Sequence, residues 1–252
     1  MMDPVSNMVK QGLGWMRLSR RGWIICGVAL AAALVAVLPL RLMAGLFGLA
    51  DMGVAARSMT GPVWSGRAED LQVGSFRLGT VDVMLSPIQL LAGRARFDIR
   101  RKQNAADDIA GALSTGFATR GMDDVTGTIP LGGALAPLPV TAMEMQDVSI
   151  AFSGTRCLHA EGRMRARFPA IVPGLDLDDG LSGEARCDGA DVLIPLVSQS
   201  GVERLEIRLT GEGRYRATMT VAATDPAMAG ALRAGGFRVV GRNQVLRVDG
   251  RL

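Results

Sequence analysis

Apolar and polar residues alternate with a period of two from Gly61 onward, and this pattern restricts the fold more than any other feature of the sequence. In RARFDIR, for example, Ala95, Phe97 and Ile99 fall on one face and the charged residues on the other. Successive side chains of a β-strand point to opposite faces, so each such segment predicts a strand with one buried face. The pattern recurs in MQDVSIAF, GRMRARF, ERLEIRL, RYRATMTV and QVLRVDGRL.

The connections between these segments are short and contain glycine. Thr210–Gly213, between ERLEIRL and RYRATMTV, predicts a hairpin loop. Parallel strands need long crossovers, so short connections predict an antiparallel sheet. The expected fold is therefore mainly β: an elongated or curved antiparallel sheet in residues 61–252, with a few short helices. The alternation weakens between residues 101 and 142, which we interpret as a loop or a joint between two halves, 61–100 and 143–252.

Two segments, SPIQLLAG and DPAMAGALRAGG, predict helices of about two turns. Each begins with an N-cap residue followed by proline and ends at glycine. These residues are Ser86, Pro87 and Gly93 in the first segment and Asp225, Pro226 and Gly235 in the second. Such short helices do not cover a broad sheet, so its apolar face must close over itself, meet a second sheet or remain partly open as a groove.

The segment WIICGVALAAALVAVLPL, residues 23–40, contains 18 residues and no charge. As a helix it would be about 27 Å long, enough to cross the hydrocarbon core of a bilayer. We therefore predict a single transmembrane helix; a cleaved signal peptide is the alternative, although the apolar region of a signal is usually shorter. The residues expected to form the membrane anchor are Trp23, Ile24, Leu30, Leu34, Val37 and Leu40.

Positive charge is concentrated before this segment, and it predicts the topology. The four residues expected to set the orientation are Lys10, Arg17, Arg20 and Arg21. The positive-inside rule places residues 1–22 in the cytoplasm, followed by a juxtamembrane segment, 41–60, and an exported domain, 61–252. The expected location is the bacterial inner membrane, with most of the chain in the periplasm. Residues 42–252 contain 23 basic and 23 acidic residues, and aromatic residues are scarce, which argues against nucleic-acid binding.

The cysteines are consistent with export. Cys157 and Cys187 lie in similar settings, SGTRC and SGEARC, and are candidates for a disulfide in an oxidising compartment. Two unpaired core cysteines are the alternative. Cys26 lies inside the apolar segment and is expected to be inert. A zinc site is disfavoured because His159 is the only histidine.

No catalytic, cofactor or metal site is predicted, so we expect a protein that is not an enzyme. His159 would have to serve any catalytic triad, and we interpret it as a surface residue. Three carboxylate pairs, Asp107–Asp108, Asp123–Asp124 and Asp178–Asp179, are interpreted as solvated turns. The chain contains neither a phosphate-binding loop nor an H-E-x-x-H sequence, and the glycines of VGSFRLG are not followed by a helix.

The stretch GPVWSGRAEDLQVGSFRLGTVDVMLSPIQLLAGRARFDI, followed by a β-rich region with a cysteine pair, resembles protein N of the type II secretion system. The matching residues are Trp64, Ser65, Gly66, Pro87, Leu90, Leu91 and Gly93. The resemblance implies a single-pass accessory component of the inner membrane, with most of the chain in the periplasm. It brings no catalytic residues.

Two functions follow as hypotheses. The first is a scaffold whose polar strand faces and sheet edges contact other secretion-system proteins of the inner membrane and periplasm, with lipid around the anchor. The second is an AsmA-like periplasmic protein that binds or bridges lipids along its apolar sheet face. Trp64 is expected to pack against a turn, with an interface role as the alternative. No cofactor is expected, and the oligomeric state and the contacted component stay open.

Overall fold

One antiparallel sheet contains all sixteen strands of the described residues. The computed structural model describes residues 23–24, 26–27, 29–30, 33, 36–46, 54–73, 76–101, 108–116, 118–169, 177–222 and 225–251. The chain divides into two units, residues 1–38 and 39–252, and the sheet belongs to the second. The prediction of a mainly β, antiparallel fold with few short helices is confirmed.

The strands follow one another along the sheet almost in sequence order. The order is β1-β3-β4-β5-β6-β7-β8-β9-β10-β12-β13-β14-β16-β15, with β2 paired to β3 and β11 to β12. Their bounds are β1 Val54–Ala55, β2 Ser58–Thr60, β3 Gly66–Val73, β4 Phe76–Leu85, β5 Arg94–Arg101, β6 Ile109–Gly116, β7 Thr119–Pro130, β8 Ala142–Ser153, β9 Arg156–Arg167, β10 Leu181–Glu184, β11 Arg186–Asp188, β12 Asp191–Val197, β13 Glu203–Leu209, β14 Arg214–Val221, β15 Arg238–Val240 and β16 Asn243–Arg251.

Among the described residues of the sheet unit, three short helices accompany the sheet: α1 Leu40–Leu46, α2 Pro87–Leu91 and α3 Pro226–Ala234. The last two are the predicted helices. The side chain of Asp225 caps α3 by accepting hydrogen bonds from the backbone N–H groups of Ala227 and Met228. Ser86 occupies the N-cap position of α2, but its hydroxyl makes no capping bond. The predicted hairpin at Thr210–Gly213 is also present, and Gly213 adopts a φ of 78° there.

One face of the C-terminal part of the sheet is buried. Leu181, Leu196, Leu205 and Met219, from four strands, are fully buried and share one core cluster. The core also contains Leu131, Leu135, Leu138 and Val140 from the segment between β7 and β8, and Leu232 from α3. This segment and this helix therefore supply the cover that the predicted short helices alone could not.

Tyr215 connects the sheet to the covering segment. Its hydroxyl donates a hydrogen bond to the carbonyl oxygen of Ala134. Burial raises the pKa of the Tyr215 phenol above its usual value, because the ionised form is poorly solvated there. The ring lies over Gly250 of the neighbouring strand β16, where a Cβ atom would collide with it. Glycine at this position thus provides the space that the buried ring needs.

The interpretation of residues 101–142 as a loop or a joint is wrong for most of its length. Two strands, β6 and β7, lie in this region and connect the two expected halves into one sheet. Their pairing is interrupted by register shifts, at Ala110/Ala112 and on both sides of Val125. A bulge adds one residue to a strand and exchanges the two faces, which erases the period of two in the sequence. Among the described residues of this region, the longest irregular connection is formed by residues 131–141.

The predicted juxtamembrane segment is not separate from the domain that follows it. β1 and β2 pair with β3, and the backbone N–H of Leu40 donates to the carbonyl oxygen of Gly61. Residues 23, 24, 26, 27, 29, 30, 33 and 36 are helical, and Trp23 is 70% exposed. Within the described residues, none of the helices has both the length and the apolar character needed to cross a membrane. Leu34 and the predicted topology residues, Lys10, Arg17, Arg20 and Arg21, lie outside the described residues.

Candidate protein interaction site

The outer side of β16 is a partly open edge of the sheet. β14 pairs with β16 from Gln244 to Arg251, whereas β15 covers only Asn243 to Val245 on the other side. Val240 and Asn243 flank a two-residue turn, so the backbone N–H and C=O groups of Asn243 point toward β15. Along an antiparallel strand, these groups point to alternate sides from one residue to the next. Beyond β15, the residues whose backbone N–H and C=O groups point toward the open edge are therefore Arg247, Asp249 and Arg251.

This edge carries excess positive charge. Asp249 pairs with Arg216 of β14 at 2.6 Å, so its charge is compensated within the sheet. Four arginines of the β15–β16 hairpin contact no carboxylate among the described residues: Arg238, Arg242, Arg247 and Arg251. Val239 and Val240 beside them are more than half exposed. Unpaired backbone groups together with uncompensated cations are suited to an extended acidic segment of another protein.

The opposite edge of the sheet is better protected. β1 and β2 together cover β3 from Arg67 to Glu69 and at Gln72 and Val73. The side chains there compensate one another: Arg67 contacts Asp82 at 2.9 Å, and the Ser58 hydroxyl donates to Glu69 at 2.7 Å. The edge at β16 is therefore the stronger candidate for strand pairing.

The family motif residues Trp64, Ser65 and Gly66 end a turn that holds Leu40. A Cβ atom at Gly66 would lie 2.6 Å from Cδ2 of Leu40 and 3.1 Å from the carbonyl oxygen of Pro62. Leu40, expected in the membrane anchor, is accordingly buried against this turn. Trp64 is half-buried, so it is neither a core residue nor a freely projecting one. The requirement for glycine at position 66 thus has a steric cause.

The second group of motif residues forms α2. Pro87 occupies its first turn and Gly93 follows it with a φ of 77°. Leu90 and Leu91 are exposed, and none of the helix residues is buried. The two groups are adjacent in space, because the backbone N–H of Leu85, just before α2, donates to the carbonyl oxygen of Val63 at 3.0 Å.

The predicted disulfide is present. Cys157 of β9 and Cys187 of β11 are bonded, with their Cα atoms 5.8 Å apart. Beside them, the backbone N–H of Cys157 donates to the carbonyl oxygen of Ala190 at 2.8 Å. The disulfide therefore connects two strands at a place where the sheet also has a backbone bond. Cys26 is free and exposed.

A polar cleft of about 260 Å³ lies across β5 to β9, on the face of the sheet opposite the buried side chains. At its centre Arg96 contacts Asp98 at 3.1 Å and Asp123 and Asp124 at 3.6 Å. The hydrogen bond to Asp98 is the main cause of a raised pKa of the Arg96 guanidinium. The single guanidinium of Arg96 thus contacts three carboxylates in this cleft.

His159 also lines the cleft, and its Nε2 lies 3.0 Å from Oε1 of Glu161. Both side chains are more than half exposed. The Ser149 hydroxyl accepts a hydrogen bond from the backbone N–H of Asp124. The oxygen of Ser149 therefore makes a structural contact. Among the described residues, no cluster of three or more histidine, cysteine or carboxylate side chains has the arrangement of a metal site. The absence of enzymatic activity stays a prediction.

The interpretation of the carboxylate pairs needs one correction. Asp123 and Asp124 are not in a solvated turn; they lie in β7, where Asp124 adopts a φ of 53°. Aspartate tolerates this left-handed conformation, which is why it fits a bulge. Asp178 and Asp179 do lie in a turn, as predicted, whereas Asp107 falls outside the described residues.

Sequence reasoning did not identify the β16 edge or the Arg96 cluster. The outward arginines of QVLRVDGR and the short RVV segment before them are visible in the sequence, but their significance depends on which strand ends the sheet. That property follows from pairing between distant residues. The carboxylates that contact Arg96 come from β5, which was predicted, and from β7, which the weak pattern at residues 101–142 did not reveal.

A comparison with protein families identifies the family of this chain. The model of the family described as type II secretion system (T2SS), protein N, matches residues 52–244. This range is more than half of the chain, extends from just before β1 into β16 and includes the seven motif residues on which the resemblance was based. No curated protein and no solved structure gives a significant match.

Proposed function

The chain belongs to the type II secretion system protein N family, and on this premise we propose that it is a non-enzymatic scaffold within that system. The single observation that carries the proposal is the open edge of β16. Its backbone groups beyond β15 are unpaired within the sheet, and the arginines around them have no acidic partner among the described residues. A protein segment that adds to this edge would satisfy the backbone and meet complementary charge.

The partner we propose is an extended, acidic segment of another secretion-system protein. Main-chain hydrogen bonds would provide affinity, while Arg247 and Arg251, both on the exposed face of β16, would select for acidic side chains. Charges at the rim of an interface act mainly on the association rate and on specificity. Binding at this edge should therefore weaken with increasing salt.

We further propose that the apolar segment from Trp23 to Leu38 anchors the chain in the inner membrane and that the sheet lies in the periplasm. The support is the uncharged segment itself, the basic residues before it and the Cys157–Cys187 disulfide, a bond that persists in oxidising compartments. An anchor would raise the concentration of the β16 edge near other inner-membrane components.

The lipid-bridging alternative has no support from the family match. Within the described residues, the apolar face of the C-terminal core is covered in part by residues 131–140 and α3, which belong to the same core cluster. We therefore retain only the scaffold.

Arg247→Pro tests this proposal. The backbone N–H of residue 247 points away from β14, so proline there should leave the β14–β16 ladder intact while its ring blocks an added strand. We expect recovery of secretion-system proteins with the purified chain to fall by about tenfold, equivalent to a loss of 1.4 kcal/mol. The measurement is quantitative mass spectrometry of proteins that co-purify from gently solubilised membranes.

Arg247→Ala is the matched control. It removes the same side chain but keeps the N–H group, so it should retain most of the co-purifying protein. Thermal unfolding of both variants checks that the sheet is intact. If the proline variant is folded and recovers the same proteins as the alanine variant, strand addition at this edge is wrong.

A further inference from the structure

Three apolar side chains of α2 are exposed together. Ile88 is 77% exposed and Leu91 is 91% exposed, and Leu90 beside them is also exposed. Single exposed apolar residues are common, but three within one turn of a helix that buries none of its residues form a patch that the described part of the chain leaves uncovered. The patch is at the surface of the sheet domain, in the connection between β4 and β5.

This patch lies at the place where the apolar segment 23–40 joins the sheet domain. Leu40, the last residue of that segment, donates its backbone N–H to the carbonyl oxygen of Gly61 at 3.2 Å. Two residues further along the same turn, the carbonyl oxygen of Val63 accepts a hydrogen bond from Leu85. Leu85 is two residues before α2. The end of the proposed anchor and the exposed helix are therefore held by one short turn.

Positive charge lies close to both features. Arg41 follows Leu40 directly, and Arg94 is three residues after Leu91. Both side chains are exposed, and neither contacts a carboxylate among the described residues. Apolar side chains next to exposed cations are the combination found in protein segments that lie in the interface of an anionic bilayer.

We propose that α2 is a second membrane contact, which lies in the headgroup region of the bilayer that the apolar segment before Pro39 crosses. The ligand is an anionic phospholipid surface: Ile88 and Leu91 enter the boundary between headgroups and acyl chains, and Arg41 and Arg94 meet lipid phosphates. This inference rests on the proposed anchor. Contact at two points would restrict rotation of the sheet about the anchor and so fix the direction in which the β16 edge is presented.

The test uses the full-length chain with Cys26→Ser and Leu91→Cys, labelled at residue 91 with an environment-sensitive fluorophore. Cys157 and Cys187 are bonded to each other and do not react. The protein is reconstituted in vesicles of phosphatidylethanolamine and phosphatidylglycerol, and quenching by nitroxide-labelled lipids is compared with quenching by aqueous iodide. The matched control is Val240→Cys, an exposed apolar position on β15. Both positions are exposed, so thermal unfolding should be unchanged.

We expect the probe at residue 91 to be quenched strongly by the lipid nitroxides and several-fold less by iodide than the probe at residue 240. Equal iodide quenching at the two positions would overturn the proposal. Protection from iodide without quenching by lipid would also overturn it, because a protein surface would then cover α2. Carbonate extraction of the membranes tests the anchor separately from the α2 contact. Release of the chain would contradict the anchor. A chain that is retained but carries a water-exposed probe would contradict only the α2 contact.

Discussion

Leu205→Ala is expected to lower the free energy of unfolding by about 3 to 5 kcal/mol, since truncating a fully buried leucine removes apolar contacts and leaves a cavity. Leu205 has no exposed surface. Its neighbours across the sheet are Leu196 on β12 and Met219 on β14, which are also fully buried. All three occupy central strands, where the surrounding backbone has little freedom to close the cavity. Urea unfolding of the sheet domain in the intact, detergent-solubilised chain measures the change.

Arg204→Ala is the control for this prediction. Arg204 precedes Leu205 on β13, projects from the opposite face and is exposed. Its truncation should change the free energy of unfolding by no more than about 0.5 kcal/mol, as expected for a surface position. Similar losses in the two variants would show that both faces of β13 are buried, and the one-sided core would then be wrong.

The double variant Cys157→Ala/Cys187→Ala is expected to lose about 3 to 4 kcal/mol, because the disulfide closes a long loop and restricts the unfolded chain. The two residues are 30 positions apart, and the loop contains β9 from its second residue onward, together with β10. The midpoint of urea unfolding should shift accordingly. Reduction of the unmodified chain with a thiol should reproduce most of this shift.

Cys26→Ala separates the disulfide from a general effect of cysteine removal. Cys26 is free and belongs to the first unit of the chain. Its replacement should leave the unfolding of the sheet unchanged, with or without reductant. A double variant at residues 157 and 187 that unfolds at the same urea concentration as the unmodified protein would contradict the stabilising role of the bond.

The strands were predictable where both the alternation and the turn signals are local. RARFDIR and ERLEIRL show this: each is a strand with the expected buried residues, including Phe97 and Leu205. Prediction failed between residues 101 and 142 because bulges near Ala112 and Val125 exchange the faces within a strand. The sequence there still encodes a sheet, but no longer with a single period.

The candidate sites also differ in whether local sequence signals predict them. The disulfide could be anticipated because two cysteines in similar settings are a signal that the sequence carries by itself. The β16 edge could not, since its exposure depends on β15 covering only three residues of it. The position of α2 beside Leu40 depends on the pairing of Leu85 with the turn at Val63, which is likewise non-local. The predicted transmembrane helix and its orientation stay predictions.

The most direct test of the scaffold is photo-crosslinking from a single position on the β16 edge in cells with an active type II secretion system. A photoreactive amino acid replaces Arg247, and the control replaces Arg165, an exposed arginine of β9 that has a paired strand on both sides. We predict that position 247 yields a crosslink to another secretion-system protein and that position 165 does not. No crosslink from position 247, or the same crosslinks from both positions, would contradict the proposal that this edge receives a partner strand.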